Sequence, residues 1–376
     1  MITSDPVLFT LITVFALQAM VLSGLIVLKR PRKLAHVFLA LLVFFYALMA
    51  INIVVVNVLK DRGLMEVFRY IQLELLFGIG PALYFYTRCV TNPDFKFKKQ
   101  HWWHFLPLVL EFMYYRTSLY RNGSDGLYEP TMPASSYLYL AEQWLGVISI
   151  LTYSMISLWL LYKYQNVLKQ LYSRISNRSL KWLQTPIIIF AGFQIFWNII
   201  REVDRFVFES SLREYYFLPT FVGLAVVCYW IGLKGYMKKD KDTAELNLIL
   251  PNEDKPELEN DPIFKEKLER LMKTKQPYLN PDLSLSKLAA LMDMNPRQLS
   301  YKINQNYERN FYDFVNNYRV EAVKQRLQSK ERDQLSLLGH ALDCGFNSKS
   351  TFNHVFKKTT QLTPSQYLRK TRKASE

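Results

Sequence analysis

Up to about residue 238 the apolar positions come in long unbroken runs; beyond it they fall at helical spacing among charges. A helix that crosses a bilayer needs about 20 apolar residues. Residues 7–28 and 35–59 meet that length without a single Asp, Glu, Lys or Arg. Five further candidates lie near 68–90, 103–120, 138–162, 185–208 and 214–237, and Glu111 and Arg116 interrupt the second of these. The pattern predicts seven membrane-spanning helices, with six as the fallback count. The first run does not read as a cleavable leader, because no basic stretch precedes it and a second run follows at once.

The C-terminal pattern differs in kind. From Pro281 the apolar residues recur at i, i+3, i+4 and i+7, each set opened by a capping residue. Ser284 leads a helix with Leu285, Leu288, Ala289 and Met292 on one face. A break at Asp293–Met294–Asn295 follows, and Pro296 suits the first position of the next helix, where a missing N–H is harmless. That next helix turns Leu299 and Ile303 inward and carries Arg297, Gln298, Ser300, Tyr301 and Lys302. Two short helices across a tight turn, the second polar and basic, describe a helix-turn-helix.

The arrangement recurs 52 residues later, from Leu285 to Leu337. Ser336 caps a helix with Leu338, Ala341 and Leu342 inward, and Gly345 permits the positive φ of a turn. A second polar helix carries Lys349, Ser350, Asn353, His354 and Lys357, with Phe352, Val355 and Phe356 inward. Between the units Asn310 opens a long helix over 311–328. Eighteen residues at 1.5 Å each span about 27 Å, against roughly 34 Å between successive major-groove faces on one side of a duplex. Thr363 and Pro364 start a closing helix that ends in a basic tail, Arg369, Lys370, Arg372 and Lys373.

Charge sharpens the division. The net charge is +15: +10 over 1–238, −2 over 239–276 and +7 over 277–376. Such an excess suits anionic partners, either lipid headgroups or nucleic acid. In a seven-span topology, 17 basic residues fall in the loops on one side and 8 on the other. By the positive-inside rule this places the N-terminus outside and the C-terminus in the cytoplasm. The acidic stretch 239–261, broken by Pro251 and Pro256, reads as a tether. If flexible, it reaches about 25–30 Å. Half of the chain is hydrophobic, which excludes wholesale disorder.

Catalytic and metal chemistry find little support. Three cysteines stand far apart, so neither a disulfide framework nor a Cys-rich metal site is indicated. His101 and His104 bracket Trp102 and Trp103 but lack a third ligand, and the aromatic pair suits a membrane-interface belt. No catalytic motif and no phosphate-binding glycine loop occurs, so neither an enzyme nor a cofactor is expected. Polar residues within or near the runs are expensive there and often functional. Glu74, Glu111 and Arg201 are the candidate sensing residues. Arg201, Glu202, Asp204 and Arg205 could equally pair among themselves at a helix end. Gly78, Gly80 and Pro81, inside one run, fit either a hinge or close helix packing.

The stretches LSLSKLAALMDMNPRQLSYKINQNYERNFYDFVNNYRVEAVKQRL and LSLLGHALDCGFNSKSTFNHVFKKTTQLTPSQY resemble the AraC-type DNA-binding domain over about 100 residues, 277–376. The segment GPALYFYTRCVTNPDFKFKKQHWWHFLP (80–107) is similar to the smaller group of bacterial regulators with seven spans ahead of such a domain. His340 replaces a usually apolar residue and Gln361 a usual glycine. The resemblance implies an all-α protein: a seven-helix transmembrane bundle (1–238), a linker (239–261) and an AraC-type double helix-turn-helix domain (262–376). It implies sequence-specific transcription regulation from the bacterial inner membrane, with partners in double-stranded DNA, the lipid bilayer, a small-molecule or protein stimulus, and a second copy in a homodimer. By position, Arg297, Gln298, Ser300, Tyr301 and Lys302 of the first unit and Lys349, Ser350, Asn353, His354 and Lys357 of the second would face DNA. The alternative is a transporter or receptor whose helical domain acts through protein contacts, motivated by Glu74 and Glu111.

Overall fold

The computed structural model describes residues 6–31, 33–54, 75–92, 94–114, 137–175, 179–209, 211–237, 261–329 and 335–373. Among them the fold is all-α. The chain divides into two compact units, one of Met1–Tyr162 with Leu180–Asp240, the other of Lys163–Ser179 with Lys241–Glu376. The second unit thus takes in a short stretch from between the apolar runs, where the sequence reading had drawn only a loop.

The first unit contains α1 (Pro6–Leu28), α2 (Leu34–Val54), α3 (Leu76–Thr91), a 3-10 turn (Lys99–Phe105), α4 (Leu106–Tyr114), most of α5 (Tyr137–Leu171), α6 (Lys181–Val207) and α7 (Arg213–Met237). α1 packs on α2 and α7, and α2 also on α3. Among the described residues four helices are long and apolar enough to cross a membrane: Thr10–Leu28, Leu34–Asn52, Gln143–Leu171 and Lys181–Val207. The sequence reading predicts seven, and three of its candidates are not found complete among the described residues. The candidate near 68–90 runs into residues outside those described, leaving α3 with 16 residues. The candidate near 103–120 becomes a 3-10 turn and a nine-residue helix before the described residues stop. α7 is 25 residues long, but much of its N-terminal half lies outside the residues whose side chains are described.

Several polar residues of this unit have structural partners. A Cβ on Gly78 would lie 2.6 Å from the Phe45 ring, and one on Gly80 2.6 Å from that of Tyr153. Close packing, not a hinge, is what the glycines of α3 provide. The buried Glu111 accepts from the amides of Leu76 (3.0 Å) and Phe77 (3.3 Å). It thereby satisfies two of the donors that any helix start leaves open. Arg201 donates to Gln143 at 2.9 Å and pairs with Glu202 at 3.1 Å, while Arg205 reaches Glu202 at 3.0 Å. Three members of the cluster thus pair among themselves, while Asp204 accepts from the Leu212 amide at 2.9 Å. Glu74 lies outside the described residues. Trp102 and Trp103 are exposed, and the described residues hold no cluster of metal-binding side chains.

The second unit holds α8 (Pro262–Thr274), a 3-10 turn (Pro277–Leu279), α9 (Leu285–Met292), α10 (Pro296–Tyr307), α11 (Phe311–Gln328), α12 (Leu337–Asp343), α13 (Lys349–Thr360) and α14 (Pro364–Lys373). Here α11 is buried on two sides. Phe311, Phe314 and Val315 serve the half built with α10. Val320, Val323 and Leu327 enter a second core with Ala341, Cys344, Phe346, Phe352, Val355 and Phe356.

Candidate nucleic-acid interface

Each helix here begins where its cap says it should. Ser284 accepts from the Lys287 amide, Asn295 from Arg297, Asn310 from Asp313, Ser336 from Gly339 and Ser348 from Thr351. Such caps are typically worth about 1 kcal/mol each. In the first unit of the motif, α9 buries Leu285, Leu288, Ala289 and Met292. Asp293 then turns the chain at φ 55°, and α10 follows from Pro296. In the second, α12 leads to Gly345 at φ 88° and then to α13.

The second helix of the repeat presents its candidates together. Lys349, Ser350, Asn353, His354 and Lys357 are all exposed, while Phe352, Val355 and Phe356 are buried behind them. Their spacing puts all five along one face of α13. Two basic and three neutral polar groups suit a duplex groove: an asparagine can bond adenine through both amide atoms, and lysines can bond guanine or phosphate.

The corresponding face of α10 is smaller than the sequence suggests. Gln298 is exposed, and Arg297 and Tyr301 are half-buried. Ser300 is buried and turned to the core, on the same side as Leu299 and Ile303. The ammonium of Lys302 lies 2.6 Å from Asp261 and over the Phe264 ring. Neither stands on the exposed face of α10: Ser300 is turned to the core, and Lys302 is engaged at the start of α8.

One inward stripe is shifted by a residue. The sequence reading has Leu338, Ala341 and Leu342 facing in, but Leu342 is 47% exposed. The inward stripe runs through Leu337, partly buried against the core, and the buried His340, Ala341 and Cys344, with His340 only 1% exposed. His340 therefore occupies the core, at the position where the resemblance has an apolar residue. Its neighbours Leu338 and Leu342 offered an equally regular apolar spacing, which the sequence alone does not distinguish.

A residue absent from the sequence-level candidates organises the unit. Arg319 of α11 is 2% exposed. Its Nε donates to the Tyr278 carbonyl at 2.7 Å and its Nη2 to that of Asn280 at 2.8 Å. Nη1 donates to Asn316 Oδ1 at 3.1 Å and to the Ser173 carbonyl at 3.4 Å, and Nη2 also to Ser173 Oγ at 3.1 Å. All five donors of the guanidinium are engaged. Burial brings its pKa down to about 10, so it stays charged at neutral pH. The signal available was a charge on an apolar stripe, four residues after Val315.

Residues 288–370 match a family model described as a helix-turn-helix domain, which supports an AraC-type motif in the second unit. The match covers less than a quarter of the chain and none of the first unit. None of the curated proteins compared matches the chain, and none of the solved structures does.

Proposed function

We propose that this protein is a membrane-embedded, sequence-specific transcription regulator. It binds rather than catalyses. The observation that carries the reading is the repeated unit: two capped helix pairs on either side of one 18-residue helix, the second presenting Lys349, Ser350, Asn353, His354 and Lys357 to solvent. The family match over this stretch supports it. In this reading α10 and α13 enter successive major-groove segments. Arg297, Gln298 and Tyr301 read one segment and the α13 face the other, while Arg369 and Lys370 neutralise phosphate.

The first unit spans the bacterial inner membrane seven times, N-terminus out and C-terminus in, and responds to a small-molecule or protein stimulus; operator binding as a homodimer completes the reading. Four apolar helices and the loop-charge asymmetry support the membrane part. The transporter alternative draws less support, since Glu111 is committed to the start of α3.

The test uses the full chain in lipid nanodiscs against a randomised duplex pool. A bipartite site should be enriched, with affinity falling steeply as salt rises. R297A and N353A should each relax selection in one half-site. A pool that stays unenriched would overturn the reading.

A further inference from the structure

The buried guanidinium of Arg319 takes two of its acceptors from Ser173, which lies 146 residues earlier in the chain. Ser173 stands two residues beyond the C-terminal end of α5. Its neighbours are equally committed. An antiparallel bridge pairs Tyr172 with Ser284, the cap of α9. The Ser173 amide and hydroxyl both donate to the Leu283 carbonyl, at 3.2 and 2.6 Å. The carbonyl of Ser173 also accepts from Asn316 Nδ2 at 3.3 Å. Arg174 pairs with Asp282 at 3.3 Å. With the Asn347 amide turned oxygen-inward, its oxygen accepts from Arg174 Nη1 at 3.0 Å. Ile175 packs against the apolar core of the second helix-turn-helix.

Four consecutive residues therefore touch both reading units. Asp282, Leu283 and Ser284 are the entry to α9. Asn347 is the residue before the Ser348 cap of α13, the helix with the exposed polar face. Between them stands Arg319, whose donors Nη1 and Nη2 would each lose an acceptor if the segment withdrew. Leaving such buried donors unmet is costly. The segment is also the direct continuation of α5, whose stretch Gln143–Leu171 is long and apolar enough to cross a membrane. A displacement of that helix along its axis, or a rotation, moves residues 172–175 first.

We propose that residues 172–175 are a transmission strap: docked, they brace α9 and α13 in a common setting on α11, and withdrawal by α5 loosens the pair and weakens DNA binding. This rests on the regulator reading above. It assigns a place where a stimulus acts on the DNA-binding unit without passing through the 239–261 tether.

The test compares the full chain with R174A and with S173A/R174A, all in lipid nanodiscs, by amide hydrogen exchange and by affinity for the duplex selected with the unaltered protein. Arg174 is part-exposed, so R174A keeps the fold, which circular dichroism checks. Amides at 282–288 and 347–352 should exchange faster together, modestly in R174A and at least tenfold faster in the double variant. Duplex affinity should fall about tenfold in the double variant. Unchanged exchange would mean that the strap is not docked, and faster exchange with unchanged affinity would reduce it to packing; either overturns the proposal alone. If the unaltered protein selects no duplex, the regulator reading fails and the transmission role with it.

Discussion

The Lys302 ammonium lies 2.6 Å from Asp261 Oδ2, and the other oxygen of that carboxylate caps α8 at the Phe264 amide, 3.0 Å away. One aspartate thus starts a helix and fastens it to α10. The Lys302 hydrogen bond, followed by that of the Phe264 amide, holds the Asp261 carboxyl below its ordinary value of 3.8. A carboxyl depressed in the folded state stabilises it above the unfolded pKa and loses that contribution as pH falls through the folded one. We expect the stability difference between the protein and D261N to be constant from neutrality to about pH 4 and to shrink below it. Hydrogen exchange of the α8 amides across that range measures it. A difference unchanged at pH 2 would contradict the linkage.

Gly345 should tolerate nothing larger. Its φ is 88°, and a Cβ there would meet the Tyr278 carbonyl at 2.4 Å and Arg319 Nε at 2.9 Å. G345A combines a strained backbone with a collision against the buried guanidinium network. A loss of at least about 2 kcal/mol is expected, read as a lower urea midpoint for the second unit at unchanged m-value.

Gln361 offers the opposite case. It closes α13 in the left-handed region at φ 60°, where glycine carries no Cβ penalty. Q361G should stabilise the unit by up to about 1 kcal/mol, less whatever the Gln361 bond to the Lys358 carbonyl contributes. Thermal unfolding would register a rise of a few degrees, and a drop would show that the side-chain bond outweighs the backbone strain.

On α13, position separates two kinds of contact. K357A should weaken binding about equally for all sequences and lower the salt slope by about 1, as loss of a phosphate contact does. N353A should cost about 1–3 kcal/mol on the preferred site and little on others. Titrations at several salt concentrations on matched and mismatched duplexes distinguish them. Were both variants to lose affinity uniformly, Asn353 would not be reading bases.

Much of the second unit was legible because its signals are local. Ser284, Asn295, Asn310 and Ser336 act within three residues of themselves, and α11 falls on 311–328 as its cap and apolar stripe predict. What escaped depends on distant partners. The amides that Glu111 satisfies lie 34 and 35 residues upstream, so the sequence shows a costly carboxylate and not its use. Lys302 looks free until α8 supplies Asp261, 41 residues away. Ser300 is short and polar, and nothing in its neighbours says that it is turned inward. Ser173 carries no signal at all, since a single serine in a loop gains its meaning from Arg319.

The chain enters the second unit twice, first as Lys163–Ser179 and again from Lys241 onward. A protease that cut once between 239 and 260 would therefore not liberate a finished regulator. The severed piece would stay clasped through Ser173 and Arg174, and would have to let go of them, exposing a buried cation to water, before it could diffuse to a chromosome. Release by proteolysis would need three cuts, one on each side of Lys163–Ser179 and one in the later stretch, or one cut and a pull.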